Sequence, residues 1–340
     1  MKKVLFLLYP FSIIYGSILK LRNILFDKKI IRSHIIPWPS IGVGNLSVGG
    51  TGKSVVISYL MELFYERIKT GVLSRGYKRN TKGVVVAHEN CSAAILGDEP
   101  FQFFKRFPKN VVVVAEKRQQ GIDALLDQKI DIDLLLLDDV FQHRYVTPSL
   151  MILTMSYQAP FYNDYPLPMG RLREFQSGKK RADTILVTKC PRTLDENQKE
   201  QIRKRIDPHP LQKVYFTTVK YSKTIHNSSG QLLLSTLTAP FLLVTGVAQP
   251  EPLVSHLKEL NLVFEHCSFS DHHAFTELEI EKLKVKKKQG IVLTTEKDFY
   301  RLLLKWESED MYYLPIQLDF IFHHEEIEFK NRIEETLKNV

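Results

Sequence analysis

Cysteine is scarce in this chain. Three residues, Cys91, Cys190 and Cys267, are far apart and form no C-x-x-C pair, so neither a disulfide framework nor a thiolate zinc site is supported. That usage suits a reducing compartment. Long apolar runs are also missing. Between Lys3 and Lys20 lie 16 uncharged, mostly apolar residues interrupted by Pro10, short of the ~20 that span a bilayer comfortably as a helix. No small-x-small cleavage site follows, which argues against a secretory signal peptide. There is no internal repeat, and no aromatic and basic recognition module of the kind that reads nucleic acid. Charge of one sign is only mildly favoured: 47 Lys and Arg against 38 Asp and Glu leave a net +9 and a pI of about 9.2. This modest excess favours an anionic partner without naming it.

With 340 residues, 44% hydrophobic and 25% charged, the chain has ample material for more than one packed domain. Short β-branched or leucine runs, "SIGVGN" at 40–45, "TGVLS" at 70–74, "GVVVA" at 83–87, "VVVVAE" at 111–116, "DLLLLDD" at 133–139, "LMILT" at 150–154 and "TILVTK" at 184–189, alternate with helical segments such as 54–69 and 117–129. That is the pattern of βαβ units with buried parallel strands. A second set, "KVYFTTVKY", "FLLVTG", "LVFEHCSF" and "GIVLTTEKD", follows from residue 213 onward. The reading is an α/β chain: a doubly wound parallel sheet of the P-loop NTPase kind over 33–221, a smaller α/β domain over 222–340, and an N-terminal helix over 1–32. That helix reads as interfacial, its apolar side chains in lipid and Lys20, Arg22, Lys28, Lys29 and Arg32 at anionic headgroups. A helix packed on the body of the protein is the alternative. The lysine-rich run at 282–290 reads as a solvated helix face.

The stretch "SVGGTGKS", Ser47 to Ser54, stands between the strand "SIGVGN" and a helical segment, the setting in which backbone N–H groups and a helix N-terminus converge on phosphate. The first glycine of G-x-x-x-x-G-K-[ST] would fall at Ser47; the glycines are instead the pair Gly49 and Gly50. Gly49, Gly50, Thr51 and Gly52 thus cradle phosphate, Lys53 meets the β- and γ-phosphates, and Ser54 ligates Mg²⁺. "DLLLLDDVFQH" adds Asp138 and Asp139 at a strand tip, where paired acids carry a repulsion that a cation relieves. An [NT]-K-x-D guanine element is absent because Pro191 stands where its Asp would be, which favours ATP over GTP.

Several stretches taken in order resemble one family, the tetraacyldisaccharide 4'-kinases of lipid A biosynthesis: "VGNLSVGGTGKS", "LSRGY", "GDEP", "AEKR", "DDVFQHR", "GRLRE", "VTK", "TGVAQP", "SDHHAF" and "TEKD". The resemblance spans nearly the whole chain. It implies transfer of the γ-phosphate of ATP to the 4'-hydroxyl of an acylated glucosamine disaccharide 1-phosphate, at the cytoplasmic face of the bacterial inner membrane, with no nucleic acid and no obligate protein partner. Three positions depart from the common pattern: Lys78 and Val140 where glycine is usual, and Phe175 where proline is.

The reaction's needs can be matched to residues. Mg²⁺ falls to Ser54 with one or more of Glu99, Asp138 and Asp139, and Arg118 can add charge at the transferring phosphoryl group. The resemblance implies Asp98 as the base, with His272 of the "DH" pair beside it and His273 as the neighbour kept open. Asp98 or Glu99 as the cap of a helix beginning near Pro100 is the structural alternative. A base split between two domains implies that they close over substrate. The anionic sugar suits Arg171 and Arg173, together with Arg75 and His143, while a surface ion-pair cluster around 171–174 is the competing reading. From the loop alone, a metallochaperone or targeting NTPase acting on a protein partner is the other function class.

Overall fold

A computed structural model of the chain describes residues 7–287 and 290–338. The chain divides into two compact units: residues up to Val219 together with those from Leu318 onward, and the intervening Lys220–Gln317. The first boundary lies close to the one read from sequence. The far end differs, because the chain returns to the first unit rather than finishing in the second.

The first unit is built on a nine-stranded sheet. Its spatial order is Ile316–Phe320, Lys213–Tyr221, Thr184–Thr188, Leu150–Ser156, Ser40–Asn45, Leu134–Asp138, Thr70–Ser74, Val111–Val114 and Val85–Val86. From Lys213–Tyr221 to Val111–Val114 every neighbouring pair is parallel. "GVVVA" departs from its reading as a buried parallel strand: it yields only the half-buried, antiparallel edge Val85–Val86. The leucine run shows why this sheet needs layers on both faces. Leu134 and Leu136 pack into one core with Ile57, Leu60 and Phe64 of the helix Lys53–Phe64. Leu135 and Leu137 pack on the other face with Ile122 and Leu125 of the helix Arg118–Asp127. Alternation along a strand sends successive side chains to opposite faces, so an unbroken apolar run specifies a strand covered on both sides.

The return of the chain has the same cause. Leu318, Phe320, Phe329 and Ile333 are buried in the core that holds Ile57 and Phe64, so the helix His323–Lys338 belongs to the first unit.

The second unit carries a six-stranded sheet ordered Gln231–Leu233, Thr224–His226, Met311–Leu314, Val292–Thr295, Phe241–Thr245 and Phe264–Ser268. Its last four strands are parallel. Leu242 and Val244 face one core with Phe299, and Leu243 faces the other with Leu257. The α/β class and the parallel-rich sheets are as read from the sequence.

The N-terminal helix runs Tyr9–Asp27, and Pro10 sits in its first turn, where the missing N–H costs nothing. The proline therefore starts the helix rather than interrupting it. One face docks on the first unit. Met169 N donates to Ser12 Oγ at 2.9 Å, Asn23 Nδ2 to Glu174 Oε2 at 2.8 Å, and Arg22 to Gln142 O at 2.7 Å. Arg22 thus turns toward the body of the protein. A Cβ on Gly16 would stand 2.6 Å from the Phe175 ring, so the phenylalanine at the proline-like position fits a helix thinned by glycine. The opposite face exposes Phe11, Ile14, Ile18 and Leu21, each at least 58% accessible, at alternating spacings of three and four. No described helix is long and apolar enough to cross a membrane.

Candidate active site

The loop after Ser40–Asn45 takes its shape from two glycines and a buried chain of hydroxyls. Gly49 and Gly52 lie at φ +107° and +86°, where a side chain would be strained. Asn45 Nδ2 donates to Thr51 Oγ1 at 2.9 Å, Thr51 Oγ1 lies 2.7 Å from Thr154 Oγ1, and Thr154 Oγ1 donates to Gly44 O at 3.1 Å. Since Thr154 donates onward, Thr51 is the donor between the two hydroxyls. Thr188 Oγ1 donates to Thr51 O at 2.8 Å. "GRLRE" braces the loop's outer side: Val48 N donates to Arg171 O at 2.8 Å, and Arg173 N to Leu46 O at 2.7 Å. Lys53 then opens the helix, with Ser54 in its first turn.

Across from the lysine stands the acid pair. Lys53 Nζ lies 3.4 Å from Asp139 Oδ1, and Arg173 NH1 donates to both Asp139 oxygens at 3.0 Å. Burial alone would raise the Asp139 pKa, but Lys53 and Arg173 outweigh it and hold the carboxyl below its usual range. Asp138 is the reverse case. Burial, and then the neighbouring Asp139 charge, push it up to about 6 against the pull of Lys53 and a hydrogen bond from Ser74. Ser74 Oγ donates to Asp138 Oδ2 at 2.9 Å, while the buried Oδ1 has no partner. Two adjacent acids thus shift in opposite directions, because Lys53 and Arg173 pair directly with Asp139 while Asp138 is buried behind it.

That orphan oxygen is what a divalent cation would satisfy. Among the described residues no group of three or more His, Cys, Asp and Glu side chains is arranged to hold a metal. The donor set fits Mg²⁺ held by one or two carboxylates, a hydroxyl and nucleotide phosphates, rather than a cage built by the protein alone. Glu99 is close enough for its charge to raise Asp138 slightly.

Arg118 is buried at 1% accessibility; it donates from NH1 to Ala115 O at 2.8 Å and from NH2 to Asp138 O at 2.9 Å. Burial lowers its pKa to about 10, opposed by Asp138 and Asp139, so it remains a cation at neutral pH behind the acid pair. His143 Nε2 accepts from Arg118 N at 3.3 Å. Burial, with Arg118, Arg22 and Arg75 nearby, lowers its pKa to about 4, so it stands near neutral pH as an uncharged ring. Arg75 is exposed, and Arg171 pairs with Asp164 at 3.2 Å. Glu174, 4% accessible, takes both Arg181 nitrogens at 2.8 and 2.9 Å and Gln142 Nε2 at 3.0 Å, in addition to Asn23. Structure thus splits "GRLRE": Arg173 faces the acid pair, and Glu174 is an anchor for the N-terminal helix.

Asp98 begins the helix Asp98–Arg106, with Glu99 also in its first turn and no side-chain cap. Both are half-buried. A carboxylate there is stabilised by the helix dipole. Gly97 lies at φ +92°, and a Cβ on it would approach Tyr77 O to 3.0 Å, which packs "GDEP" against "LSRGY". Two of the departures from the family pattern resolve differently. Lys78 occupies φ +59°, the conformation a glycine would take freely. At the acid pair the positive φ of +49° falls on Asp139, and Val140 is simply a core residue.

His272 lies in the second unit, also at a positive φ of +59°. Its backbone N donates to Gly246 O at 3.2 Å. Arg301 NH2 is 2.9 Å from Nδ1, Lys297 Nζ is 2.9 Å from Nε2, and Asp271 Oδ2 is 3.9 Å from Nε2. Guanidinium and ammonium only donate, and a neutral imidazole offers one lone pair, so the ring satisfies one of these cations at a time. Asp298, fully buried, accepts from Gly246 N at 2.8 Å and from Thr295 Oγ1 at 2.8 Å, and pairs with Arg301 at 3.1 Å. His273 instead stacks on Phe269 and meets Glu279 Oε2 at 3.0 Å. The sequence reading missed Ser74, Gln142, Thr154, Lys297, Asp298 and Arg301. Lys297 and Asp298 stand within "TEKD", a stretch noticed but given no role.

The chain is similar to known proteins over nearly its whole length. The chain matches the family described as Tetraacyldisaccharide-1-P 4'-kinase over residues 4–338. It is 43% identical to the tetraacyldisaccharide 4'-kinase of Flavobacterium psychrophilum over 98% of each chain. Identity is 41% to that of Flavobacterium johnsoniae, over 94% of each. It is also similar to the crystal structure of LpxK from Aquifex aeolicus in complex with ATP, with a TM-score of 0.78 and 28% identity, covering 97% of this chain and 99% of that one. This chain belongs to the tetraacyldisaccharide-1-phosphate 4'-kinase family.

Proposed function

We infer that this protein is a phosphotransferase that moves the γ-phosphate of ATP onto the 4'-hydroxyl of an acylated glucosamine disaccharide 1-phosphate. Family membership supports this and not a metallochaperone. One observation carries the donor half: a phosphate loop whose Lys53 lies 3.4 Å from Asp139, beside a buried Asp138 with an unsatisfied oxygen.

In this reading Gly49, Gly50, Thr51 and Gly52 offer backbone N–H groups to the phosphates and Lys53 neutralises their charge. Mg²⁺, held by Ser54 with Asp138, Asp139 or Glu99, would supply charge neutralisation at the transferring phosphoryl group. Arg118 acts through the Asp138 carbonyl it holds. The 4'-oxygen bonds to the γ-phosphorus as the bond to the ADP leaving oxygen breaks, and the hydroxyl proton passes to Asp98. His272 shares that proton's handling, as the family resemblance implies. Arg75, Arg171, Arg173 and a neutral His143 recognise the anionic sugar. The exposed stripe on the N-terminal helix supports docking at an anionic membrane surface, the cytoplasmic face of the inner membrane, where the substrate's acyl chains reside.

The test follows γ-³²P from ATP into a chloroform-soluble product with the disaccharide acceptor present. Label found only as free phosphate rejects the kinase reading. Equal rates for His272→Ala and wild type at saturating substrate would remove His272 from it.

A further inference from the structure

Lys189 has no place in the roles described so far, and its setting is unusual. Its φ is +57°, a region that few non-glycine residues occupy. The residues on either side explain the conformation. Thr188 O accepts from Tyr157 N at 2.9 Å and Cys190 N donates to Thr217 O at 3.0 Å, while the Thr188 hydroxyl is tied to Thr51 O. The chain must turn between two fixed points, and it carries the Lys189 side chain back over the phosphate loop. Its ammonium stands 3.8 Å from where a Cβ on Gly50 would be.

The ammonium is partly withdrawn from water without receiving a counter-charge. Lys189 is half-buried, and burial alone lowers its pKa from the ordinary lysine value. Among the described residues no hydrogen bond or ion pair to it is present. Lys53 and Arg173 differ in this respect, since both face Asp139. A desolvated lysine without an acid is costly, and an anion seated on Gly50 would relieve that cost. The loop beneath it is shaped for such an anion.

We propose that Lys189 binds a phosphate oxygen of the donor nucleotide from the Gly50 side of the loop, as a second lysine beside Lys53. The inference rests on the nucleotide reading of the loop. It assigns the anion to the donor and not to the 1-phosphate of the acceptor, because the ammonium lies over the loop's own glycine.

The experiment measures dissociation constants for ATP, ADP and adenosine on the full chain without acceptor, in wild type, Lys189→Met and Lys189→Arg. ATP and ADP weaken roughly 10- to 100-fold in Lys189→Met, as expected for loss of one hydrogen bond to a charged group. Adenosine binding stays unchanged, and Lys189→Arg recovers most of the loss. Unchanged ATP affinity in Lys189→Met overturns the proposal. Equal weakening of adenosine overturns it too, by placing the contact on the ring or ribose. Unchanged nucleotide constants together with a raised acceptor KM in a parallel kinase assay overturn it in favour of the 1-phosphate. If Lys189→Met does not fold, Lys189→Asn, which tolerates the same backbone, is read by the same outcomes. A wild-type chain that fails to bind ATP overturns the nucleotide reading itself, a result separate from failure of Lys189 alone.

Discussion

The carboxyl ends of the two parallel sheets solve the problem of presenting polar groups in opposite ways. In the first unit the loop after Ser40–Asn45 is almost bare of reactive side chains. Glycine geometry and the Asn45, Thr51 and Thr154 hydrogen bonds fix its backbone, and one lysine supplies charge. In the second unit the ends of Phe241–Thr245, Phe264–Ser268 and Val292–Thr295 lead to Gly246, His272 and Lys297, and nearly everything presented is side chain. Ligands in open α/β sheets gather at such ends. A site made of backbone survives most substitutions, whereas a site made of side chains is reset by one.

The largest expected effect tests whether the first unit owes its rigidity to the anchor behind the acid pair. Glu174→Ala leaves Arg181 and Asn23 without their buried acceptor and destabilises by about 3–5 kcal/mol, read as a lower denaturant midpoint with faster proteolysis near residues 28–33. Next comes the one charged group of the loop. Lys53→Ala lowers kcat by roughly 10²–10³ with little change in unfolding midpoint; a loss under tenfold would mean that the backbone does nearly all the work.

Asp138→Asn links stability to pH. The folded-state pKa of Asp138 is raised to about 6 from 3.8, so its contribution is fully present below pH 4 and is lost as pH rises toward 6. Ionised Asp138 therefore costs on the order of 3 kcal/mol at neutral pH. The asparagine variant is more stable than wild type at pH 7, level with it at pH 4, and weaker in Mg²⁺-dependent nucleotide binding. Parallel stability curves from pH 4 to 7 would contradict this.

Arg301→Ala is a smaller change, aimed at the side-chain site. Kcat drops about tenfold, or about 1.4 kcal/mol, with ATP affinity unchanged, because the guanidinium joins Asp298 to the His272 ring. Smallest of all for the fold is Ile18→Ser with Leu21→Ser, within about 0.5 kcal/mol at exposed positions. Binding to vesicles containing anionic lipid falls nonetheless, and unchanged binding would take the helix out of membrane docking.

Much of the first sheet was legible because "DLLLLDD" and "TILVTK" are short, apolar and bounded, and the phosphate loop because its strand and helix flank it. Contacts distant in sequence were not legible. Nothing near Leu318 announces that it packs beside Tyr215, and nothing in "AEKR" says that Arg118 spends its guanidinium on backbone carbonyls. Asp138 and Asp139 look alike as letters; they differ because Arg173, 34 positions on, reaches only one of them. The positive φ values of His272 and Lys189 come from tertiary hydrogen bonds that local propensity does not encode.

The return of the chain at Leu318 also sets an order of events during synthesis. Phe329 and Ile333 cover the same core as Val56, Leu60 and Phe64 of the phosphate-loop helix, yet they follow the inserted unit in the chain. Domains commonly fold from the N-terminus as they are made, but here the nucleotide-binding unit lacks part of its core until the inserted unit has been translated. The core beneath the phosphate-loop helix is therefore closed only by residues made after the inserted unit.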